Sequence, residues 1–415
     1  MKKYLQKNKL LTILFLGLLF FLIFYFVLPQ IYNLKYDSKI NKLLDKENVD
    51  SEKIKGSEEI EPIQNIVTHI DTPTTVKAIY ISGWVAGNLP LRTKILNIIK
   101  TTELNSIVID VKDSTGRISF SVNDPKLIEV GSAEKRIRDI REFVALLHEN
   151  NIYVIGRIAT FQDPYLAKKW PEYAVKKSSN KNILWADDKC KRAIRRNSEK
   201  TCTYWMDAGS QKVWDYVASV GDEAYSDGFD ELNFDYIRYP ADGDLKDIYF
   251  PVSEGKIRAD VMSNFYTFLH NHYFGLQNEK TLRPKISADI FGLTTTETND
   301  LGIGQLLIPL ATNFDYIAPM VYPSHFAPGT YGYKNPATKP YEIVNFSMKK
   351  ANERLVNAGL DPLKLRPWLQ DFDLGAIYTK EMVQAQIKAV YDAGLTSWML
   401  WDPANTYTES ALLSE

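Results

Sequence analysis

Residues 230–240, DELNFDYIRYP, contain the pattern that decides the fold. The stretch begins as an apolar strand, with Leu232 and Phe234 on one face. Successive side chains of a strand point to opposite faces, so Asn233 and Asp235 share the other face. A strand that buries its apolar face against helices therefore turns an amide and a carboxylate to its opposite side.

Seven other short apolar runs alternate with longer amphipathic stretches from about residue 76 onward. The eight strand-like runs are VKAIYISGW, NSIVIDVKD, NIYVIGRIATF, FDELNFDYIRYP, PKISADIFG, FDYIAPMVYP, LRPWLQDF and TSWMLWDP. Eight strands alternating with helices predict an α/β fold in which a parallel sheet closes into a (β/α)8 TIM barrel. An open doubly wound sheet is the alternative. It usually carries a Gly-rich phosphate turn after its first strand, and YISGWVAGN does not provide one.

The same alternation turns further polar residues toward the barrel interior. These are Asp110 and Lys112 of the second strand, Arg157 of the third, Asp289 of the fifth and Gln370 of the seventh. All of them fall late in their strands, where barrel enzymes build their sites, so we expect a ring of polar groups around one pocket. The alternative is an internal salt-bridge network that closes the top of the barrel, since buried charges are costly unless they are paired.

Asp235 and Asp289 end neighbouring strands, and such a pair of carboxyl groups suits the cleavage of a glycosidic bond. One group protonates the leaving oxygen while the other attacks or stabilises the sugar cation. We expect Arg238 or Arg157 to keep Asp235 ionised, and the nearby negative charge to raise the pKa of Asp289. We also expect a separation of about 5–5.5 Å, as in retaining enzymes, rather than the about 6.5–9.5 Å of inverting ones.

Aromatic side chains at the strand ends predict flat surfaces for sugar rings, among them Phe291 and Trp368. His325 follows the sixth strand and is predicted to hydrogen-bond a sugar hydroxyl; a loop histidine without that role is equally compatible. The predicted substrate-binding residues are Trp84, Asp110, Lys112, Arg157, Asn233, Tyr236, Arg238, Tyr322, His325, Gln370 and Trp401. G-x-S-x-G and clustered histidines are absent from the sequence, so we expect neither a serine triad nor a metal or other cofactor.

Residues 1–30 predict a membrane anchor. Four lysines precede an apolar run of about 20 residues, which is long enough to span a bilayer, and basic flanks stay in the cytoplasm. A cleaved signal peptide is the alternative, although its apolar region is usually about 7–15 residues. Residues 31–75 are polar and predict a linker, which leaves residues 76–415 as an extracytoplasmic barrel domain at the cell membrane.

Cys190 and Cys202 are the two cysteines of the chain, and both lie in the predicted exported part. Near cysteines in exported proteins form disulfides, so we predict that they pair; two free thiols are the alternative. The formal net charge of -1 argues against nucleic acid as a partner, because nucleic acid selects a basic surface.

Seven motifs in order resemble a bacterial family of glycoside hydrolases that was long labelled a domain of unknown function. The motifs are GWVAGN, IVIDVKD, NFDYIRYP, ISADIFG, IAPMVYPSHF, RPWLQDF and WMLWDP, and they cover about residues 76–405. That family is distantly similar to α-amylase-like barrels, so the resemblance implies a TIM barrel that acts on glycans. It also implies that Asp235 stands at the nucleophile position and Asp289 at the acid position.

The sequence departs from the α-amylase pattern at three places. The acid is Asp rather than Glu, and Asn233 replaces the Arg two residues before the nucleophile. Gln370 and Asp371 replace the His-Asp pair after the seventh strand.

Two functions from different classes fit these patterns. One is a membrane-anchored glycoside hydrolase that cleaves an extracellular or cell-envelope polysaccharide. The other is a non-catalytic glycan-binding barrel of the cell envelope. The carboxylate pair discriminates between them, because a binding module does not need two rim acids at reactive spacing.

Overall fold

The computed structural model describes residues 67–187, 190, 202–275 and 283–414. The predicted membrane anchor and residues 31–66 of the predicted linker lie outside this part of the chain. Within it, no helix is long and apolar enough to cross a membrane.

Eight parallel strands close into a barrel in the order of the sequence. The barrel closes where Ala78 of the first strand lies opposite Met399 of the last. The strands are β1 (Lys77–Ile81), β2 (Ser106–Lys112), β3 (Tyr153–Ala159), β4 (Glu231–Asp235), β5 (Lys285–Phe291), β6 (Tyr316–Met320), β7 (Trp368–Gln370) and β8 (Trp398–Trp401). Each lies within the run predicted for it, and the predicted (β/α)8 barrel is confirmed.

Helices lie between each pair of consecutive strands. In the described part of the chain they are α1 (Gly83–Ala86), α2 (Leu89–Thr101), α3 (Pro125–Val130), α4 (Ile140–Glu149), α5 (Pro164–Lys169), α6 (Gln211–Ser226), α7 (Arg258–Phe274), α8 (Leu307–Asn313), α9 (Pro340–Asn357) and α10 (Lys380–Asp392). Short 3-10 turns follow several strands, including Gly292–Thr295 after β5 and Pro323–His325 after β6.

Helix α4 shows why these segments pack on the barrel. Ile140, Phe143, Val144 and Leu147 are its buried apolar residues, and they recur at the i, i+3, i+4 and i+7 positions that form one helix face. This face joins the large apolar core between the strands and the helices.

The two faces of the strands supply two separate cores. Ile107 and Ile109 of β2 belong to the outer core against the helices. Val108 of the same strand and Ile155 of β3 belong to a smaller core that fills the barrel interior. The predicted alternation between helix-facing and interior residues is therefore confirmed at these positions.

Buried polar groups close the N-terminal end of the barrel. Arg366 Nη1 lies 2.8 Å from Glu231 Oε2, and the Tyr153 hydroxyl donates to the same carboxylate. Ile70 and Thr72, from the segment before β1, hydrogen-bond Asp230 and Tyr153. These contacts fill the barrel interior at this end.

The long segment between β3 and β4 carries the disulfide. Cys190 and Cys202 are bonded, with their Cα atoms 4.2 Å apart, so the predicted pairing is confirmed. Trp205 follows closely and forms a backbone bridge to Gln162, just after β3. The segment thus delivers Trp205 to the C-terminal end of the barrel.

Candidate active site

A cavity of about 480 Å³ lies at the C-terminal ends of the strands. This volume is within the range of small-molecule sites in proteins, and barrel enzymes place their sites at this end. The predicted site residues that line it are Arg157, Asp235, Tyr236, Arg238, Asp289, Tyr322, His325 and Trp401, together with the rings of Phe291 and Trp368.

The end of β4 aims Asp235 into this cavity through an unusual backbone turn. Tyr236 has a φ of 54°, in the left-handed region that a bulky residue seldom adopts. Its N–H donates to Asp235 Oδ1 at 2.6 Å. The carbonyl oxygens of Asp235 and Tyr236 accept from the N–H groups of Thr160 and Phe161. These bonds hold the strained turn and orient the carboxylate.

Arg157 of β3 joins two of the carboxylates. Its Nη1 donates to Asp110 Oδ1 at 2.7 Å, and its Nε donates to Asp235 Oδ2 at 3.1 Å. Burial alone would lower the pKa of Arg157, but the charges of Asp235 and Asp110 outweigh it and raise that pKa. Asp110 and Asp235 are therefore bound to the same buried guanidinium.

Asp289 of β5 has a different environment from Asp235. Its Oδ1 accepts from Asn233 Nδ2 at 2.9 Å and from Trp368 Nε1 at 2.7 Å. Burial, assisted by the negative charge of Asp235, raises the pKa of Asp289 to about 8. These surroundings favour the protonated form of Asp289. Among the described residues no donor hydrogen-bonds its Oδ2, which lies 3.9 Å from Arg157 Nε.

The two carboxyl groups lie close together. Because Arg157 Nε lies 3.1 Å from Asp235 Oδ2 and 3.9 Å from Asp289 Oδ2, these two oxygens are at most 7.0 Å apart. This limit is compatible with the about 5–5.5 Å of retaining pairs and with the short end of the about 6.5–9.5 Å range of inverting pairs. The arrangement can therefore place a charged carboxylate and a carboxylic acid on the same sugar unit.

Aromatic side chains surround the pair. Trp401 stacks on Tyr80 with ring centres 3.9 Å apart, and the Arg157 guanidinium lies 5.0 Å from the Trp401 ring centre. On the other side, His325 meets the ring of Tyr322 edge-on at 5.3 Å. Burial lowers the pKa of His325, so the imidazole is neutral at pH 7 and can exchange hydrogen bonds with hydroxyl groups.

The sequence of the barrel matches a known family. The family described as "Putative glycosyl hydrolase domain" matches residues 78–407, which is most of the chain and includes every strand end described above. The chain belongs to this family. The expectation of a glycosidase domain is confirmed at this level, and no curated protein gives a significant sequence match.

Solved structures share the fold of this glycosyl hydrolase family member. The glycoside hydrolase domain of PgaB (BpsB) from Bordetella bronchiseptica is 11% identical, with a TM-score of 0.52, covering 80% of this chain and 95% of that one. Alpha-L-fucosidase isoenzyme 2 from Paenibacillus thiaminolyticus is 11% identical, with a TM-score of 0.53. The match covers 81% of this chain and 48% of the fucosidase chain. A hypothetical protein from Ruminiclostridium thermocellum is 29% identical, with a TM-score of 0.42. The match covers 51% of this chain and 96% of that protein.

Lys112 does not face the cavity of the glycosyl hydrolase domain, contrary to the expectation from strand alternation. The register between β2 and β3 shifts after Asp110, so that Lys112 lies opposite Ile158. Such a bulge reverses the alternation, and Lys112 turns to the helix side. There its Nζ lies 2.8 Å from Asp163 Oδ2, with both side chains fully buried. The alternative of an internal ion pair therefore describes Lys112.

Replacing Lys112 with Met should destabilise the glycosyl hydrolase domain without affecting its chemistry. Removing one partner of a buried ion pair leaves Asp163 uncompensated and costs about 3–5 kcal/mol. Urea denaturation would measure this loss. Lys350→Met, which breaks the exposed pair with Glu353 on α9, is the matched control and should barely change stability. Unchanged stability of Lys112→Met, or lost activity in protein that is still folded, would contradict this placement.

Four other predicted site residues lie outside the cavity lining. Trp84 is 64% exposed on α1 and stacks with Arg136. Gln370 is buried and braces a neighbouring loop, because its Oε1 accepts from Ser324 N–H. Asp110 and Asn233 lie beneath the cavity and contact Arg157 and Asp289 respectively.

The sequence interpretation missed residues that contact this site. Tyr80 donates its hydroxyl to Asp110 Oδ2 at 2.6 Å; the alternation rule, applied to β1, would have turned Tyr80 inward. Trp205 packs edge-on against Tyr236, with ring centres 6.0 Å apart. Trp205 lies in an irregular segment, where no periodic pattern indicates its direction. The sequence predicts Trp368 as a ring for sugars, and the structure adds its hydrogen bond to Asp289.

Proposed function

We propose that this family member is a retaining glycoside hydrolase of the bacterial cell surface, anchored in the membrane and acting on an extracellular or cell-envelope polysaccharide. The observation that carries the proposal is the asymmetric acid pair. Asp235 is paired with Arg157, while Asp289, within 7.0 Å of it, has a pKa raised to about 8. Two carboxyl groups whose surroundings push their protonation apart are the groups that glycosidic cleavage needs.

The proposed reaction has two steps. The Asp235 carboxylate attacks the anomeric carbon as the glycosidic C–O bond breaks, and the proton of Asp289 passes to the leaving oxygen. The product of this step is a glycosyl ester of Asp235. Asp289, now ionised, then takes a proton from water as that water attacks the anomeric carbon and releases Asp235.

Charge changes at Asp235 assist the second step. While Asp235 is ionised, its charge contributes to the raised pKa of Asp289. Once Asp235 is esterified, that charge is gone, and the pKa of Asp289 falls. The same residue thus begins as an acid and becomes the carboxylate that serves as base.

The experiment that tests this proposal uses the full chain in detergent with isolated bacterial cell-envelope polysaccharides. We expect release of new reducing ends, and NMR of the first product should show the anomeric configuration of the substrate. An inverted first product would contradict the retaining mechanism. Tight binding with no cleavage of any bound glycan would instead favour the non-catalytic glycan-binding barrel.

Membrane anchoring is a separate part of the proposal. It is supported by the lysines before the apolar run of residues 10–29 and by the disulfide, since disulfides persist in oxidising compartments. Protease added to intact cells should digest the barrel, while a cytoplasmic control protein stays intact. Protection of the barrel, in cells whose other surface proteins are digested, would refute this orientation.

A further inference from the structure

Arg238 is a buried cation in the wall of the cavity. Its side chain is 8% exposed and lines the cavity directly. The guanidinium carbon lies 4.5 Å from the ring centre of Phe291, 4.8 Å from Trp205 and 5.6 Å from Tyr236. Ring faces attract such cations, so three aromatic side chains hold the guanidinium in place.

The hydrogen-bonding capacity of Arg238 is mostly unused by the described residues. Nη1 donates to the Tyr239 carbonyl oxygen at 3.0 Å. A guanidinium carries five N–H donors, and in the described ranges no other acceptor and no carboxylate within 4 Å engages the rest. Burial without such a carboxylate lowers the pKa of Arg238, and buried charges are costly until they are paired.

The other charged groups of the cavity do not neutralise Arg238. Asp235 pairs with Arg157 and attracts Arg238 only from a distance, and the raised pKa of Asp289 favours its neutral form. Asp242, also in the cavity wall, attracts Arg238 from a distance but forms no ion pair with it within the described residues. Arg238 is thus a positioned cation in the lining of the cavity.

We propose that Arg238 binds a negatively charged group of the substrate, so that the glycan cleaved here contains acidic sugar units. The proposal rests on the proposed glycosidase function and adds the class of substrate to it. A guanidinium fork matches the oxygens of a carboxylate or a phosphate with two parallel hydrogen bonds. Because Tyr236 directly follows Asp235 and touches Arg238, the charged group belongs to a sugar at or next to the cleaved bond.

The test compares sugars that differ only at carbon 6. D-glucose, D-glucuronate and D-glucose 6-phosphate, and the matching galactose series, are titrated against the full chain in detergent by ligand-observed NMR. We expect at least one acidic sugar to bind about tenfold or more tightly than its neutral counterpart, as for a charge-assisted hydrogen bond. Tighter binding of the uronate indicates a carboxylate ligand, and tighter binding of the 6-phosphate indicates a phosphate ligand.

Variants assign this preference to Arg238. Arg238→Gln should abolish it, whereas Arg258→Gln, which removes an arginine stacked on Tyr239 and Phe250 away from the cavity lining, should retain it. If Arg238→Gln does not fold, Arg238→Lys and the salt dependence of wild-type binding replace it, since a charge contact weakens as salt rises. Equal binding of acidic and neutral sugars, binding of neither, or a preference that survives in folded Arg238→Gln would overturn the proposal.

Hydrolysis assays test the acidic-substrate class separately from the glycosidase function on which it rests. Cleavage of a neutral glycan that Arg238→Gln leaves unchanged would overturn the acidic-substrate class and leave the glycosidase function standing. Binding of acidic sugars that depends on Arg238, without cleavage of any acidic glycan, would overturn the glycosidase function and leave the binding site standing.

Discussion

Replacing Asp235 with Asn should reduce glycan hydrolysis by about 10⁴-fold or more, because the reaction loses its nucleophile. The fold should survive the change. The Asn side chain still offers an oxygen to Arg157, and Arg157 keeps its ion pair with Asp110 at 2.7 Å. Turnover measured on a glycan that the wild-type protein cleaves, together with thermal melting, would check both expectations.

Chemical rescue distinguishes a nucleophile from a merely important carboxylate. Asp235→Ala opens space in which azide can attack the anomeric carbon, which should restore cleavage and yield a glycosyl azide of inverted configuration. Asp110→Asn removes another carboxylate bound to Arg157 and is the matched control, for which azide should restore nothing. Near-full turnover of Asp235→Asn on a confirmed substrate would refute the assignment.

Replacing Asp289 with Asn should slow cleavage of natural glycosidic bonds by about 10²–10⁴-fold, the usual contribution of a general acid. An acid works while it is protonated, so wild-type activity should be present below the pKa of about 8 and be lost as pH rises through it. In Asp289→Asn, the rate of the first step, which forms the glycosyl ester, should no longer fall at high pH. An aryl glycoside with a good leaving group needs no proton from an acid. On this substrate the rate of Asp289→Asn should therefore fall far less than on natural glycosidic bonds.

Stability gives a second measurement at the same residue. Because the folded-state pKa of Asp289 lies above its unfolded value, the folded state holds the proton more tightly. Its contribution to stability is complete below the unfolded pKa and is lost as pH rises through about 8. Melting temperatures at pH 5 and pH 9 should therefore differ less in Asp289→Asn than in the wild type.

Asp371 provides a control for the activity measurement. Its pKa is raised by burial to about 6, but it accepts hydrogen bonds from Thr408 and does not line the cavity. Asp371→Asn should keep the high-pH loss of activity. Identical pH profiles for the wild type and Asp289→Asn would show that another group titrates there.

The barrel could be predicted from the sequence because its signals are local and repeated. The interior positions of Arg157 and Asp289 follow from alternation within single strands, and the meeting of Asp235 with Asp289 follows from strand order. Lys112 was misplaced because a one-residue bulge after Asp110 reverses the alternation, and nothing in SIVIDVKD marks it. Pattern rules assume regular strands, so they fail where a strand departs from regularity.

The sequence also could not predict which of the two arginines pairs with Asp235. Both Arg238 and Arg157 were expected as partners of Asp235, and Arg157 holds that position. Which one pairs depends on a turn at Tyr236 and on Trp205, which arrives from a segment more than 25 residues earlier in the chain. Such contacts between distant segments leave no periodic trace.

The left-handed turn at Tyr236 sets the backbone of one residue against its side chain. A glycine there would relax the backbone by about 1–2 kcal/mol. It would also delete a ring that packs edge-on against Trp205, and truncating a packed aromatic side chain costs up to about 3–5 kcal/mol. The same ring lies 5.9 Å from the Arg157 guanidinium and 5.6 Å from that of Arg238. The tyrosine therefore persists in an unfavourable conformation because its ring returns more free energy than its backbone loses.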